Sequence, residues 1–275
     1  MATIISLKRR IDAARNVSKT TKAMQMISAS KLKRAQNTAV STRPYVKHLG
    51  ILTNNVIEKL NKDSVMDPYL KNKSKSGKTL LIVLGPDKGL CGGLVSNLLR
   101  TFINFQKKNE NVLYLTVGKK IEGQVARLSK DVIASFNFGT ITPSYDVIYP
   151  IMKIIDEYYL SGKVDRVQVL STNFTSFFSQ NPVITTILPV SGSWADVENK
   201  NPALNYVFEP EATEILPELL RHHIEMQLYH FFLESFASEQ ASRMLTMQNA
   251  TTNANDIIED LRLEYNKTRQ AKGGI

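Results

Sequence analysis

The sequence predicts an α/β protein in which a long antiparallel coiled coil of N- and C-terminal helices carries an inserted Rossmann-like α/β domain. Three observations lead there. The last third of the chain has no proline after Pro217 and no glycine between Gly192 and Gly273, so nothing in it stops a helix. Residues 2–36 are free of both as well. Between these stretches, short apolar runs alternate with amphipathic ones, the grammar of a parallel sheet wrapped by helices.

The C-terminal stretch, 213–271, would form a rod about 80 Å long at roughly 1.5 Å per residue, and a helix of that length needs a partner. Met244, Met247, Thr251, Ala254, Ile258, Leu261 and Tyr265 recur at alternating steps of three and four, which keeps one seam facing a second helix. Ile4, Leu7, Ile11, Ala14, Thr21, Ser28, Leu32 and Ala35 follow the same spacing at the other end of the chain. The two ends therefore pair. Small residues at several of these positions let the backbones approach. Ser18 and Gln25 also fall on the seam, so apolar burial alone does not set its register.

Pro44 and Gly50 mark a bend or an irregularity, after which 51–60 resumes a helical pattern. The stretch 61–78, rich in Lys, Ser and Asn, reads as a linker or exposed loop. Strands follow at 79–85, 111–117 and 132–136, with helices at 94–107, 119–129 and 145–160. The runs 164–173 and 182–190 read as an antiparallel pair at a sheet edge. A polar segment, 191–210, leads into the last helix, with Thr213 as its N-cap and Pro217 in its first turn. The domain organisation expected is a discontinuous shaft, 1–60 and 211–275, a linker, 61–78, and an inserted foot, 79–210.

The formal net charge is +10, which implies acidic partners: nucleic acid, an anionic membrane or acidic protein surfaces. A single cysteine, Cys91, excludes an internal disulfide and an all-cysteine metal site. No apolar run is long enough to cross a bilayer, and residues 1–30 are interrupted by charge, unlike a signal peptide. A soluble intracellular protein is expected, with any membrane association peripheral.

The most enzyme-like string is Gly85-Pro86-Asp87-Lys88-Gly89-Leu90-Cys91-Gly92-Gly93, placed between a strand and a helix where doubly wound domains bind phosphates. It matches neither the dinucleotide fingerprint nor the P-loop. The alternative is a glycine-rich turn that lets a helix pack closely on the sheet. His222 and His223 point to different sides of a helix, and His223 and His230 are two turns apart, too far for one metal ion; with His48 they read as structural. Cys91 lacks a neighbouring histidine and reads as a small buried residue. No pair of carboxylates forms an acid/base couple, so no catalytic constellation emerges.

Basic residues concentrate on the first helix: Lys8, Arg9, Arg10, Arg15, Lys19, Lys22, Lys31, Lys33 and Arg34 against only Asp12. A charge run is often only a solvated face. Met24, Met26 and Ile27, however, cannot all lie in one seam, so some apolar surface faces outward. A shaft enclosed by other protein, with cationic collars meeting acidic loops, accounts for both features.

Over nearly its whole length the sequence resembles the gamma subunit of F-type ATP synthase. The resemblance rests on Thr20-Thr21-Lys22-Ala23-Met24-Gln25-Met26 with Ser28-Ala29-Ser30-Lys31, on Arg43-Pro44-Tyr45, and on Asp87-Lys88-Gly89-Leu90-Cys91-Gly92-Gly93. It continues in Tyr206-Val207-Phe208-Glu209-Pro210, Ser238-Glu239-Gln240-Ala241-Ser242-Arg243-Met244 and Tyr265-Asn266-Lys267-Thr268-Arg269-Gln270. Bacterial members are the most similar, and no transit peptide precedes Ala2. The resemblance implies a central stalk inside a ring of alpha and beta subunits, with its foot on the epsilon subunit and the membrane c-ring at the cytoplasmic face of a bacterial plasma membrane. It implies contacts to beta at Lys22, Met24, Lys88, Arg269 and Gln270, and to epsilon and the c-ring at Tyr206, Phe208 and Glu209. No cofactor and no catalysis by this chain are implied, since ATP chemistry belongs to beta, and the membrane is met only through the complex.

Relatives continue about five helical turns beyond the Arg269-Gln270-Ala271 match, whereas here Lys272-Gly273-Gly274-Ile275 follows, and its two glycines would fray a helix. A short or missing shaft tip is the expectation, with a truncated sequence as an equal explanation of that end. Two readings from other classes stay open: a nucleotide-dependent enzyme using residues 85–93, and a coiled-coil nucleic-acid binder with steep salt dependence.

Overall fold

The computed structural model describes residues 4–60, 67–70, 76–129, 131–190 and 209–273. Two helices dominate it: α1 (Ile4–Lys59) and α5 (Ala212–Gly273). They run antiparallel, and the seam positions face inward. Leu7, Ile11, Ser28, Leu32 and Ala35 of α1 are buried, as are Met247, Ala254, Ile258 and Leu261 of α5. At the end formed by the two chain termini, Leu7, Ile11, Ile258 and Leu261 make a small core of their own, closed by Ala14 and Tyr265.

The polar seam residues set the register. Ser18 donates to Asn255 Oδ1 across 2.8 Å, and the Thr21 and Thr251 hydroxyls lie 2.8 Å apart. A slip of one turn would break both contacts and stagger the apolar layers around them.

α1 continues through Pro44 rather than ending there. The proline is exposed, so its ring points away from the partner helix and only the bond to the residue 40 carbonyl is forfeited. Contacts on both sides of it tie the helix to α5: Arg43 pairs with Glu234 at 2.7 Å, and Tyr45 hydrogen-bonds His222 at 2.7 Å. Gly50 lies against His223, where a Cβ would sit 3.5 Å from the ring. Thr213 is not the cap of α5. The helix begins one residue earlier, and the Glu211 carbonyl accepts from the amides of Glu214 and Ile215.

The inserted domain is a five-stranded sheet of β1 (Thr79–Leu84), β2 (Val112–Val117), β3 (Val132–Phe136), β4 (Arg166–Phe174) and β5 (Gln180–Leu188) in the order β3-β2-β1-β4-β5. The first four are parallel, and β5 pairs antiparallel with β4 at the edge, as the sequence pattern implies. Helices α2 (Leu94–Gln106) and α3 (Lys119–Leu128) cover one face, with Leu81, Val83, Tyr114 and Phe102 in the layer between. The other face, carrying Leu80, Ile82, Leu84, Val167 and Val169, is covered by α4 (Ile148–Leu160) and by α5 itself. A short 3-10 turn, Tyr145–Val147, precedes α4.

Shaft and sheet therefore share one core. From His223 to Gln240 nearly every α5 residue is buried or half-buried, because this part of the helix lies between α1 and the sheet. That is why the segment carries Phe232, Leu233 and Phe236 on more than one side. Tyr69, in the stretch expected to be an exposed loop, is buried: it stacks on Tyr159, donates to Asp156 at 2.6 Å, and its carbonyl accepts from the Val190 amide. No helix among the described residues is long and apolar enough to cross a membrane.

Candidate partner-binding surface of the shaft

With one stripe of the N-terminal part of α1 committed to α5, much of the rest of its surface is open. Lys8, Arg9, Arg10, Arg15, Lys19, Lys22, Lys33 and Arg34 are all exposed. Arg15 pairs with Asp12 at 3.2 Å, a surface contact of little energetic weight. Lys31 differs: half-buried, it donates to the Thr140 carbonyl and ties α1 to the foot. Met24 is half-buried beside the seam, whereas Met26 and Ile27 are 60% and 56% exposed. The outward apolar surface expected from these three residues is present, and α5 adds Ile257 and Leu263, 51% and 61% exposed. A rod that shows large apolar side chains among cations offers both steering charge and contact area.

Near the chain termini a surface groove of about 340 Å³ lies along the two helices, bordered by Lys8, Asp12, Arg15, Arg262, Tyr265 and Asn266. Arg262 was not singled out in the sequence. Its only signal is a position one residue off the seam, facing the basic stretch of α1 once the register is known. Arg269 and Gln270, both exposed, follow one to two turns on.

The loop 85–93 has a different task from phosphate binding. Gly85 and Gly118 touch so closely that a Cβ on Gly118, whose φ is +110°, would stand 2.0 Å from the Gly85 carbonyl oxygen. Asp87 accepts from the amides of Lys119, Phe138 and Gly139 at 2.9, 3.2 and 2.7 Å, fastening the loop to the foot. From the other side α5 takes the loop's carbonyls. Arg243 donates to Lys88 O at 3.1 Å and Gly89 O at 3.3 Å, and Ser242 donates to Cys91 O. Gly92, at φ +56°, lies against Thr246 and Ser242. A helix thus fills the crevice beyond the carboxyl end of β1, where a doubly wound domain would receive a ligand. The turn permits close packing, and what it packs against is the shaft. Lys88 and Leu90 remain exposed at its rim.

The titratable groups inside the structure are structural in character. Burial lowers the His223 pKa to about 4, with His222 adding to the effect, and burial also lowers that of His230, which faces Glu234 and Arg43. Cys91 is buried and its thiol pKa is pushed up by burial. Burial raises Glu239 while Arg243, 2.7 Å away, opposes it. Among the described residues no group of three or more His, Cys, Asp and Glu side chains is placed to hold a metal ion.

The site residues expected from the sequence fall at three levels. The Thr21–Thr251 register puts Met24 and Lys22 near the level of Thr246, and so near the loop that bears Lys88. Arg269 and Gln270 lie about 40 Å beyond Arg243 along α5 at 1.5 Å per residue. Glu209 is exposed just before α5 starts, about 45 Å from Arg243 in the opposite direction. Tyr206 and Phe208 lie outside the described residues.

A family profile described as ATP synthase matches residues 3–272. The ATP synthase gamma chain of Dehalococcoides mccartyi strain BAV1 is 38% identical over 275 residues, covering 98% of this chain and 94% of that one. The ATP synthase gamma chain of Geotalea uraniireducens is 37% identical over 277 residues with the same coverage. Among solved structures, a chain of the Euglena gracilis mitochondrial ATP synthase rotor superposes with a TM-score of 0.67 at 16% identity, covering 98% of both chains. A chain of the Tetrahymena thermophila mitochondrial ATP synthase central stalk and c-ring gives a TM-score of 0.62 at 22% identity, over 84% of this chain and 99% of that one.

Proposed function

Because the chain belongs to the ATP synthase gamma-chain family, we propose that it is the central stalk of a proton-translocating F-type ATP synthase. It couples c-ring rotation to sequential conformational changes of the catalytic beta subunits and carries no catalytic site itself. The observation that carries this reading is that the two ends of the chain, over 200 residues apart, build one rod whose register is set by polar seam contacts while its outer faces carry cations and exposed apolar side chains.

The mechanism is linkage. An asymmetric rod touches three beta subunits differently, so each orientation favours a different nucleotide affinity at each site, and occupancy biases the orientation in return. Lys22, Met24 and Lys88 form one level of contact with beta, and Arg269 with Gln270 a second, nearer the chain termini. Tyr206, Phe208 and Glu209 meet epsilon and the c-ring at the opposite end. The working division is a discontinuous shaft, 1–60 and 211–275, a linker, 61–78, and a foot, 79–210. The complex sits at the cytoplasmic face of a bacterial plasma membrane, and this chain reaches the membrane only through it.

The test is reconstitution. The purified chain is mixed with bacterial alpha and beta subunits, and complex size and ATP turnover are measured together. A stable assembly with restored turnover is expected. Absence of assembly, with DNA retained by the chain instead, would return the nucleic-acid reading.

A further inference from the structure

Within that function, we propose that Arg243 is a positioning residue that locks the foot to the shaft and fixes the angle at which Lys88 and Leu90 are presented. Its guanidinium is held by Glu239, one turn earlier on α5, at 2.7 Å, and both side chains are at least nine-tenths buried. With its orientation set, the fork reaches two successive carbonyls of the loop, Lys88 O and Gly89 O. A lysine could not do this, because a point ammonium lacks the planar array of donors that meets Glu239 and two carbonyls together.

The loop needs such a hold. Leu90 has φ +61°, a left-handed conformation that a branched side chain adopts only where its surroundings over-determine it. Asp87 fastens the loop's start to α3 and to residues 138–139, so the foot side is fixed independently. On the shaft side the ties are Arg243, the Ser242 hydroxyl and the contact of Gly92 with Thr246.

Position along the helix gives Arg243 its weight. Earlier in α5, Ser235, Ser238 and Glu234 bond the backbone of β4. Beyond Thr246 the buried face of α5 meets α1 through the seam. Arg243 therefore stands where the helix leaves the foot, and torque entering through the foot passes this point. If the loop could swivel here, Lys88 would no longer turn in phase with the seam.

The experiment uses the full chain, alone and in the reconstituted complex in membrane vesicles. Arg243→Ala and Arg243→Lys are compared with the unaltered chain. In the free chain, hydrogen exchange at amides 88–93 should quicken about tenfold in both variants, with amides of α2 and β1 unchanged. In the complex, protons pumped per ATP hydrolysed should fall roughly threefold, the order expected for a residue in a coupling network, while ATP turnover persists. A covalent rescue follows from the geometry, since a Cβ on Gly92 lies 2.9 Å from Thr246 Oγ1. Gly92→Cys with Thr246→Cys, in a Cys91→Ala and Arg243→Ala background, should recover pumping on oxidation and lose it again on reduction. Faster exchange with undiminished pumping in both variants, or an oxidised bridge that restores nothing, would overturn the proposal. Failure of the unaltered chain to join the ring would overturn the stalk reading itself.

Discussion

Thr21 and Thr251 place their hydroxyl oxygens 2.8 Å apart across the seam of the shaft, 230 residues apart in sequence. Each also contacts a carbonyl of its own helix, Thr21 that of Val17 at 3.0 Å and Thr251 that of Met247 at 2.8 Å. Either hydroxyl can thus fall back on its own backbone when the other is removed. Thr251→Val should therefore destabilise the chain by less than about 1 kcal/mol in urea unfolding, the scale of one hydrogen bond with an alternative acceptor. Adding Ser18→Ala should leave stability close to that of the single variant while broadening spin-label distances across the shaft, because the second register contact is gone.

Burial holds His223 neutral, and this predicts a pH dependence with a definite sign. Its pKa is about 4 in the folded protein against 6.5 for a free histidine. Above pH 6.5 neither state is protonated there. Between 6.5 and 4 the unfolded chain takes up a proton that the folded one refuses, so stability is lost as pH falls, by about 3 kcal/mol at the limit. His230 is shifted in the same direction and adds to the loss. His223→Leu should make the decline in Tm between pH 7 and pH 5 shallower, whatever its effect at pH 7. An unchanged slope would show that this ring titrates in the folded state.

Much of this fold is legible in the sequence because periodicity and breakers act locally. The seam residues, all five strands and the edge pairing follow from spacing, glycine and proline alone. What escapes is set by tertiary register. Asn255 reads as a solvated polar residue until Ser18 is placed opposite it, and Arg262 gains significance only when Lys8 and Arg15 face it. Pro44 reads as a bend or an irregularity, and local rules cannot include the pairing of Arg43 with Glu234 that ties this stretch to α5. In the loop 85–93 the glycines are conspicuous, but the helix they accommodate lies 150 residues further on.

Gly118 leaves no room for a side chain. Its φ of +110° disfavours any L-residue, and a Cβ would overlap the Gly85 carbonyl. Gly118→Ala should cost more than about 3 kcal/mol, beyond ordinary overpacking, because the obstruction is backbone that cannot step aside. A marked drop in the Tm of the chain in calorimetry is the expected result.

Stiffness of the shaft is itself a functional property under this account. Ala254 is buried mid-seam, and Ala254→Pro removes a helix hydrogen bond and forces a kink, about 3 kcal/mol or more. Cys91→Ala removes one buried sulfur at a site fastened by its backbone. In vesicles, proton pumping should be lost in the proline variant while ATP hydrolysis continues, and Cys91→Ala should pump nearly normally. Equal coupling in the two would contradict a torque-bearing seam.

The central claim is that the foot turns with the rod when beta hydrolyses ATP. Phe178, at the tip of the β4–β5 hairpin, is 86% exposed, so Phe178→Cys in a Cys91→Ala chain offers an attachment point for a bead. With the alpha-beta ring fixed to glass and ATP supplied, the account predicts sustained rotation of the bead in one direction, stopping when ATP is withdrawn. Steady ATP hydrolysis by the assembled ring with a stationary bead would contradict it.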